Sequence, residues 1–224
     1  MGRRVALVWD LPSRLFHWAL AGCLIGSYAS LSAGHPIAHQ AMGFMLCALL
    51  LFRLLWGVVG SETARFAAFL AGPRRTFYYL RSLGSPRHQA RWGHGPVGGL
   101  LVLVRLLLLA ALVVTGVLAQ GGGLTGPWSG SVDGSAAAAL LDWHRVAHYG
   151  LGLLLVLHLA GVGYYLIRHR TNLLRPIVTG RRSNLDGLAP PLRFASLERA
   201  AMCWLAALLA TLFVFRLLPL PGIG

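Results

Sequence analysis

Four apolar runs, near residues 15–33, 40–59, 97–119 and 144–167, and a fifth near 200–217, decide what this chain can fold into. Runs of about 18 or more apolar residues with few charges read as membrane-spanning helices. The composition agrees: 12% of the 224 residues are charged, against roughly a quarter in a soluble domain. The first run is too long for a signal-peptide core, and no small-residue cleavage site followed by a soluble domain comes after it, so it reads as a retained helix. The fifth is short, and Arg216 near its end would have to snorkel to the interface.

A formal charge of +14 would suit a nucleic-acid partner, but its distribution points elsewhere. All 20 basic residues are arginine. They crowd before the first span (Arg3, Arg4, Arg14), between the second and third (Arg65, Arg74, Arg75, Arg81, Arg87, Arg91) and after the fourth (Arg168, Arg170, Arg175, Arg181, Arg182, Arg193). The connections at 30–38 and 120–143 carry none. By the positive-inside rule the N-terminus, the 60–96 loop and the 168–198 segment are cytoplasmic. The basic balance therefore encodes topology, with lipid rather than nucleic acid as the surrounding partner. Trp18, Trp56, Trp92 and Trp143 fall near span ends, as an aromatic belt requires.

Cys23, Cys47 and Cys203 all lie within apolar runs and read as packing residues; no C-x-x-C-H motif for covalent haem occurs. "GPRRTFYYLRSLGSP", bracketed by Gly-Pro and Ser-Pro, predicts a short interfacial helix. "QGGGLTGPWSGSVDGS" reads as a flexible loop and a poor scaffold for chemistry.

Histidines inside such runs need a reason. His144 and His158 are 14 residues apart, nearly four helical turns, so they share a face about 21 Å apart along the axis. At the inner depth the first span offers His17; at the outer depth the second offers His39. A single histidine near a helix end is usually interfacial, but depth-matched pairs on facing helices are the arrangement for axial ligation of haem iron. Zinc would need three or four donors converging on one point, and each depth offers two. The expected ligands are His17 with His158 for an inner haem and His39 with His144 for an outer one.

Other residues fit around these pairs. Gly43 and Gly161 leave gaps beside His39 and His158, and Gly22 with Gly26 forms a G-x-x-x-G for close helix packing. Arg53 and Arg105 place charge inside the second and third spans, at a cost of roughly 2.5–3.5 kcal/mol if unpaired; a haem propionate would neutralise Arg53, on the His39 face, unless it snorkels to the cytoplasm. His148, one turn beyond His144, could bond near the outer cofactor or replace His144. His94 could meet a propionate or a quinone head group. His35 and His88 read as solvent-facing, and His169 as lying in the headgroup zone.

The segments "VWDLPSRLFHW", "HQAMGFMLCALLLFRLLWGVVGS", "ARFAAFLAGPRRTFYYL", "GHGPVGG" and "HRTNLLRPIVTGRR", together with the His144–His158 spacing, resemble the prokaryotic cytochrome b561 family, over about residues 5–182. That family is related to the cytochrome b subunits of nickel–iron hydrogenases and formate dehydrogenases. The resemblance implies an all-α, integral membrane four-helix bundle holding two non-covalent b haems with bis-histidine ligation, here with a fifth C-terminal transmembrane helix. It divides the chain into a di-haem domain, 1–180, and a cytoplasmic linker with the fifth helix, 181–224. It implies a multi-pass protein of the bacterial inner membrane, N-terminus cytoplasmic, passing electrons between quinone and a periplasmic cytochrome c or an oxidoreductase subunit. Its ligands fall on His17, His39, His144 and His158. Acidic residues common in the family after the histidine matching His144 and in the "HRTNL" motif are replaced by Arg145 and Thr171, so no proton relay transfers from them. The quinone is expected near the inner haem, by Asp10, Arg14 and His94. Asp10 could equally anchor the helix start.

An electron-transfer subunit is preferred to a stand-alone enzyme. A superoxide:quinone oxidoreductase ranks second, because the outer face offers little convergent positive charge beyond Arg145. A haem-free metal transporter using the histidines as a pathway is the third reading.

Overall fold

The computed structural model describes residues 4–82, 93–184 and 192–215. Arg3, Arg87, His88, Arg91, Trp92 and Arg216 lie outside them. Among the described residues, five helices are long and apolar enough to cross a membrane: α1 (Leu11–Ser32), α2 (Pro36–Val59), α5 (Pro96–Leu118), α6 (Gly134–Arg168) and α8 (Leu197–Val214). Between them lie the short helices α3 (Phe66–Phe69), α4 (Pro73–Ser82) and α7 (Leu174–Thr179), and four short strands: β1 (Arg4–Leu7), β2 (Gln120–Gly121), β3 (Leu124–Thr125) and β4 (Arg181–Asn184). The protein is a multi-pass, predominantly α-helical membrane protein. Large apolar side chains on α6, among them Tyr149, Leu153, Val156 and Ile167, are exposed, as lipid-facing positions must be.

The chain forms two compact units. The first takes residues 1–17, 55–104 and 153–200, and thus the arginine-rich segments. Its frame is a ribbon that composition did not announce: β1 pairs antiparallel with β4, Arg4 opposite Asn184 and Leu7 opposite Arg181. Beyond the ribbon, the N–H groups of Val8 and Trp9 both donate to the Gly180 carbonyl, at 2.7 and 3.2 Å. Gly180 has φ +78°, and a Cβ there would lie 2.8 Å from the Trp9 carbonyl oxygen, so only glycine fits. Thr63 Oγ1 donates to the Val8 carbonyl at 2.8 Å. Ala195 N–H donates to Ser61 Oγ, and Arg193 N–H to Glu62, which fastens the approach to α8 onto the end of α2. The expected interfacial helix is α4, with Phe77, Tyr78 and Leu80 exposed beside Arg74 and Arg81.

The second unit takes residues 18–54, 105–152 and 201–224. In lipid, helix association rests on packing and polar contacts rather than on water exclusion. Here α8 lies on α2 through parallel rings of Phe52 and Trp204, 4.2 Å between centroids. Gly26 of α1 approaches Met42 of α2 closely enough that a Cβ would lie 3.2 Å from Sδ, whereas Gly22 faces open space. One residue of the G-x-x-x-G thus makes the close approach.

The segment expected to be flexible, 120–135, is built instead. β2 and β3 form an antiparallel hairpin turned by Gly122 and Gly123, both at positive φ. Gly126 packs against α5 where a Cβ would strike the Val117 carbonyl oxygen at 2.3 Å. Trp128 Nε1 donates to the Val214 carbonyl. Gly122 and Gly123 thus serve the turn, and Gly126 the close contact. Helix α6 accordingly starts at Gly134, well before the apolar run, with Asp133 accepting from Ser135 N–H at 3.0 Å as its N-cap.

Candidate functional site

Each unit brings one predicted histidine pair together. In the first, His17 of α1 and His158 of α6 have ring centroids 6.2 Å apart, planes turned 54°. In the second, His39 of α2 and His144 of α6 are also 6.2 Å apart, turned 76°. An imidazole nitrogen binds a first-row metal ion at about 2.0 Å, with the ring centroid roughly 1.1 Å further on, so trans ligands set their centroids about 6.2 Å apart. Both pairs match that separation.

Hydrogen bonds fix which nitrogen is offered in the second pair. His39 Nδ1 lies 3.0 Å from the Ser27 carbonyl oxygen and 3.1 Å from Ser27 Oγ. His144 Nδ1 lies 3.0 Å from the Leu112 carbonyl oxygen and 3.1 Å from Thr115 Oγ1. A carbonyl only accepts, so Nδ1 carries the proton in both rings and the lone pair sits on Nε2, the nitrogen then able to meet a metal. His148 is not paired with His39: its ring lies parallel to Tyr28, 5.7 Å between centroids. Gly116 of α5 is pressed against His144, where a Cβ would come within 3.1 Å of Cε1. Ser27, Thr115 and Gly116 escaped the sequence reading, although a threonine in the apolar run "LLLAALVVTGVLA" was a visible signal.

Open space borders Gly43 and Gly161, with nothing within 4 Å of a Cβ at either, as a flat macrocycle near His39 and His158 needs. Arg14, one turn before His17, donates through Nη2 to the Val178 carbonyl, while its Nε is buried with no hydrogen-bond partner among the described residues. An orphan cationic donor there suits an anionic propionate. These features fit haem. Among the described residues, no three His, Cys, Asp or Glu side chains group as a metal-ion site.

The remaining predicted residues are placed as follows. Arg53, 7% exposed, and half-buried Arg105 belong to the second unit, at the chain positions where the units change over. His94 sits between Trp9 and Phe69, with ring centroids at 4.8 and 4.9 Å, and its Nδ1 is buried. Asp10 is buried and anchors the helix start: Oδ1 accepts from Ser13 N–H at 2.7 Å and Oδ2 from Trp56 Nε1 at 3.2 Å. Arg145 pairs with Asp142 at 2.9 Å on the surface, where an ion pair contributes little.

A second polar cluster lies in the first unit. The hydroxyls of Tyr79 and Tyr165 are 2.7 Å apart, and His169 packs edgewise on Tyr164 and at a tilt on Tyr165. Burial pushes the Arg182 guanidinium below its ordinary pKa, partly offset by the two phenols. Gly95 packs against this pair: a Cβ there would lie 2.5 Å from Tyr79 Oη, so a larger residue would have to displace the Tyr79 ring.

Comparison with known proteins gives the family. The family model described as prokaryotic cytochrome b561 matches residues 8–180. A probable Ni/Fe-hydrogenase B-type cytochrome subunit of Bradyrhizobium diazoefficiens is 24% identical, covering 83% of this chain and 89% of that protein. Its counterpart in Azotobacter chroococcum mcd 1 is 25% identical, covering 80% and 89%. No solved structure matches. With residues 8–180 matched, the chain belongs to the prokaryotic cytochrome b561 family, membrane proteins of redox and electron transfer.

Proposed function

We propose that this protein is a di-haem b-type cytochrome passing electrons between a quinone pool and a redox partner, with His17 and His158 as one ligand pair and His39 and His144 as the other. The observation that carries the reading is the 6.2 Å separation, repeated in both units. Haem, when bound, supplies a one-electron iron couple whose potential follows its ligands, burial and hydrogen bonds.

The chain's own residues do the rest. With two imidazoles offered at each site, His17 with His158 and His39 with His144 would hold a bound haem through protein ligands alone, which would favour outer-sphere electron transfer over oxygen chemistry. Arg14 Nε fits a propionate near His17, and Arg53 and Arg105 offer positive charge inside apolar helices. Both Asp10 oxygens are engaged in anchoring, so His94 is the stronger candidate to meet the quinone head group. The arginine-rich segments belong to the first unit, which supports placing the N-terminus in the cytoplasm of a bacterial inner membrane. The printed names of the relatives support an oxidoreductase such as a Ni/Fe-hydrogenase as the partner; a periplasmic cytochrome c is the other candidate.

The test is haem per polypeptide on detergent-purified protein, by pyridine haemochrome and reduced-minus-oxidised spectra. Two b haems are expected, falling to about one in His17→Ala or His39→Ala. No haem in protein from haem-replete cells overturns the reading.

A further inference from the structure

Resting on the proposed ligation by His39 and His144, we infer that Thr115 and Ser27 are positioning residues that set the redox potential of that site. Thr115 is buried in α5, where a hydroxyl is costly unless bonded. Its proton is committed: Oγ1 donates to the Ala111 carbonyl at 2.6 Å, the back-bond of a helical threonine. Towards His144 Nδ1, 3.1 Å away, Oγ1 can then only accept. The Nδ1–H of His144 is shared between that oxygen and the Leu112 carbonyl at 3.0 Å. His39 Nδ1 meets the same pair of acceptor types, both from Ser27.

Each acceptor draws on the N–H proton and leaves more electron density on Nε2, making the imidazole a more basic ligand. A more basic ligand favours the ferric state, so both hydroxyls hold the potential down. Gly116 completes the seat: with no side chain beside Cε1 and Nδ1, the His144 ring can reach both acceptors. A threonine whose only task is to satisfy its own hydroxyl would need the Ala111 bond and nothing more. The contact to Nδ1 is what assigns the further role.

The experiment is a spectroelectrochemical titration of the purified full chain, wild type beside Thr115→Val, Thr115→Ser and Ser27→Ala. Valine keeps the shape and removes the acceptor; alanine at 27 keeps the carbonyl and removes the hydroxyl. The expected result is both haems retained, one midpoint moved to a more positive value by Thr115→Val and by Ser27→Ala, and the other unmoved. Thr115→Ser should return the shifted midpoint towards wild type. Unmoved midpoints in haem-loaded Thr115→Val and Ser27→Ala, equal movement of both haems, or a shift that serine does not reverse overturns the inference alone. Should Thr115→Val lose haem, Ser27→Ala decides by the same criterion from the opposite ligand. A wild-type protein without haem overturns the proposed function and this inference with it.

Discussion

Gly116 and the imidazole of His144 pack so closely that a Cβ at residue 116 would stand 3.1 Å from Cε1 and 3.3 Å from Nδ1. Alanine could be accommodated by a small shift of the ring; a branched side chain could not. Gly116→Val should displace His144 from its seat while the apolar face of α5 still suits lipid. The expected outcome is a folded protein carrying about one haem instead of two, with the remaining spectrum that of the His17–His158 site. Haem-to-protein ratio checks it, and Gly116→Ala should retain most of the second haem.

Gly43 gives the converse test. It lies one turn after His39, on nearly the same face, and nothing stands within 4 Å of where its Cβ would be. Gly43→Leu should therefore be tolerated by the chain yet fill the space proposed for the macrocycle. Thermal stability of the haem-free protein should be unchanged or slightly higher, because leucine favours helix over glycine by about 1 kcal/mol. Haem content should fall. Full haem loading in Gly43→Leu would place the cofactor elsewhere.

Asp10 separates anchoring from proton chemistry. Its carboxylate caps α1 through Ser13 N–H and accepts from Trp56 Nε1, with both Asp10 and Trp56 buried. Asp10→Ala removes a cap contributing about 1 kcal/mol and also the carboxylate oxygen that accepts from Trp56 Nε1. The melting temperature in detergent should drop clearly. Asp10→Asn keeps an acceptor oxygen for the cap and should recover much of that loss. It should also retain haem and quinone-linked electron transfer. If the asparagine variant is as stable as wild type but inactive, Asp10 carries a proton rather than a helix.

What could be read from the chain follows from which forces are periodic. The spans are legible because the bilayer imposes a length on apolar runs, and α1, α2, α5 and α8 begin and end close to them. The pairs His17–His158 and His39–His144 are legible because topology fixes depth and helical periodicity fixes face. The choice of His144 over His148 came from near-integral turns, and the structure stacks His148 on Tyr28 instead. What was not legible is close approach. Nothing in "TGPWSG" says that Gly126 lies on the end of α5 or that Trp128 reaches Val214. The β1–β4 ribbon joins residues about 180 positions apart and depends on Gly180 at positive φ. Thr115 was visible as a polar residue in an apolar helix, but its partner only emerges when α5 and α6 are packed.

Asp133 shows how far the early start of α6 depends on charge. Its carboxylate accepts from the Ser135 side chain and backbone, and these bonds hold its pKa below the ordinary carboxylate value. A depressed folded-state pKa means that the contribution is fully present above the ordinary value and is lost as pH falls through the depressed one. At neutral pH the first two turns of α6, residues 134–140, should be protected from amide exchange, measured relative to the intrinsic rate at each pH. Below the carboxylate range that protection should fall while the middle of α6, around His144 to His158, keeps its own. Asp133→Ala should show the loosened turn already at neutral pH, and Asp133→Asn should remove the pH dependence while preserving a weaker cap. Equal protection of residues 134–140 in wild type and Asp133→Ala at neutral pH would mean that packing of Ala137, which is fully buried, rather than the cap, holds the start of the helix.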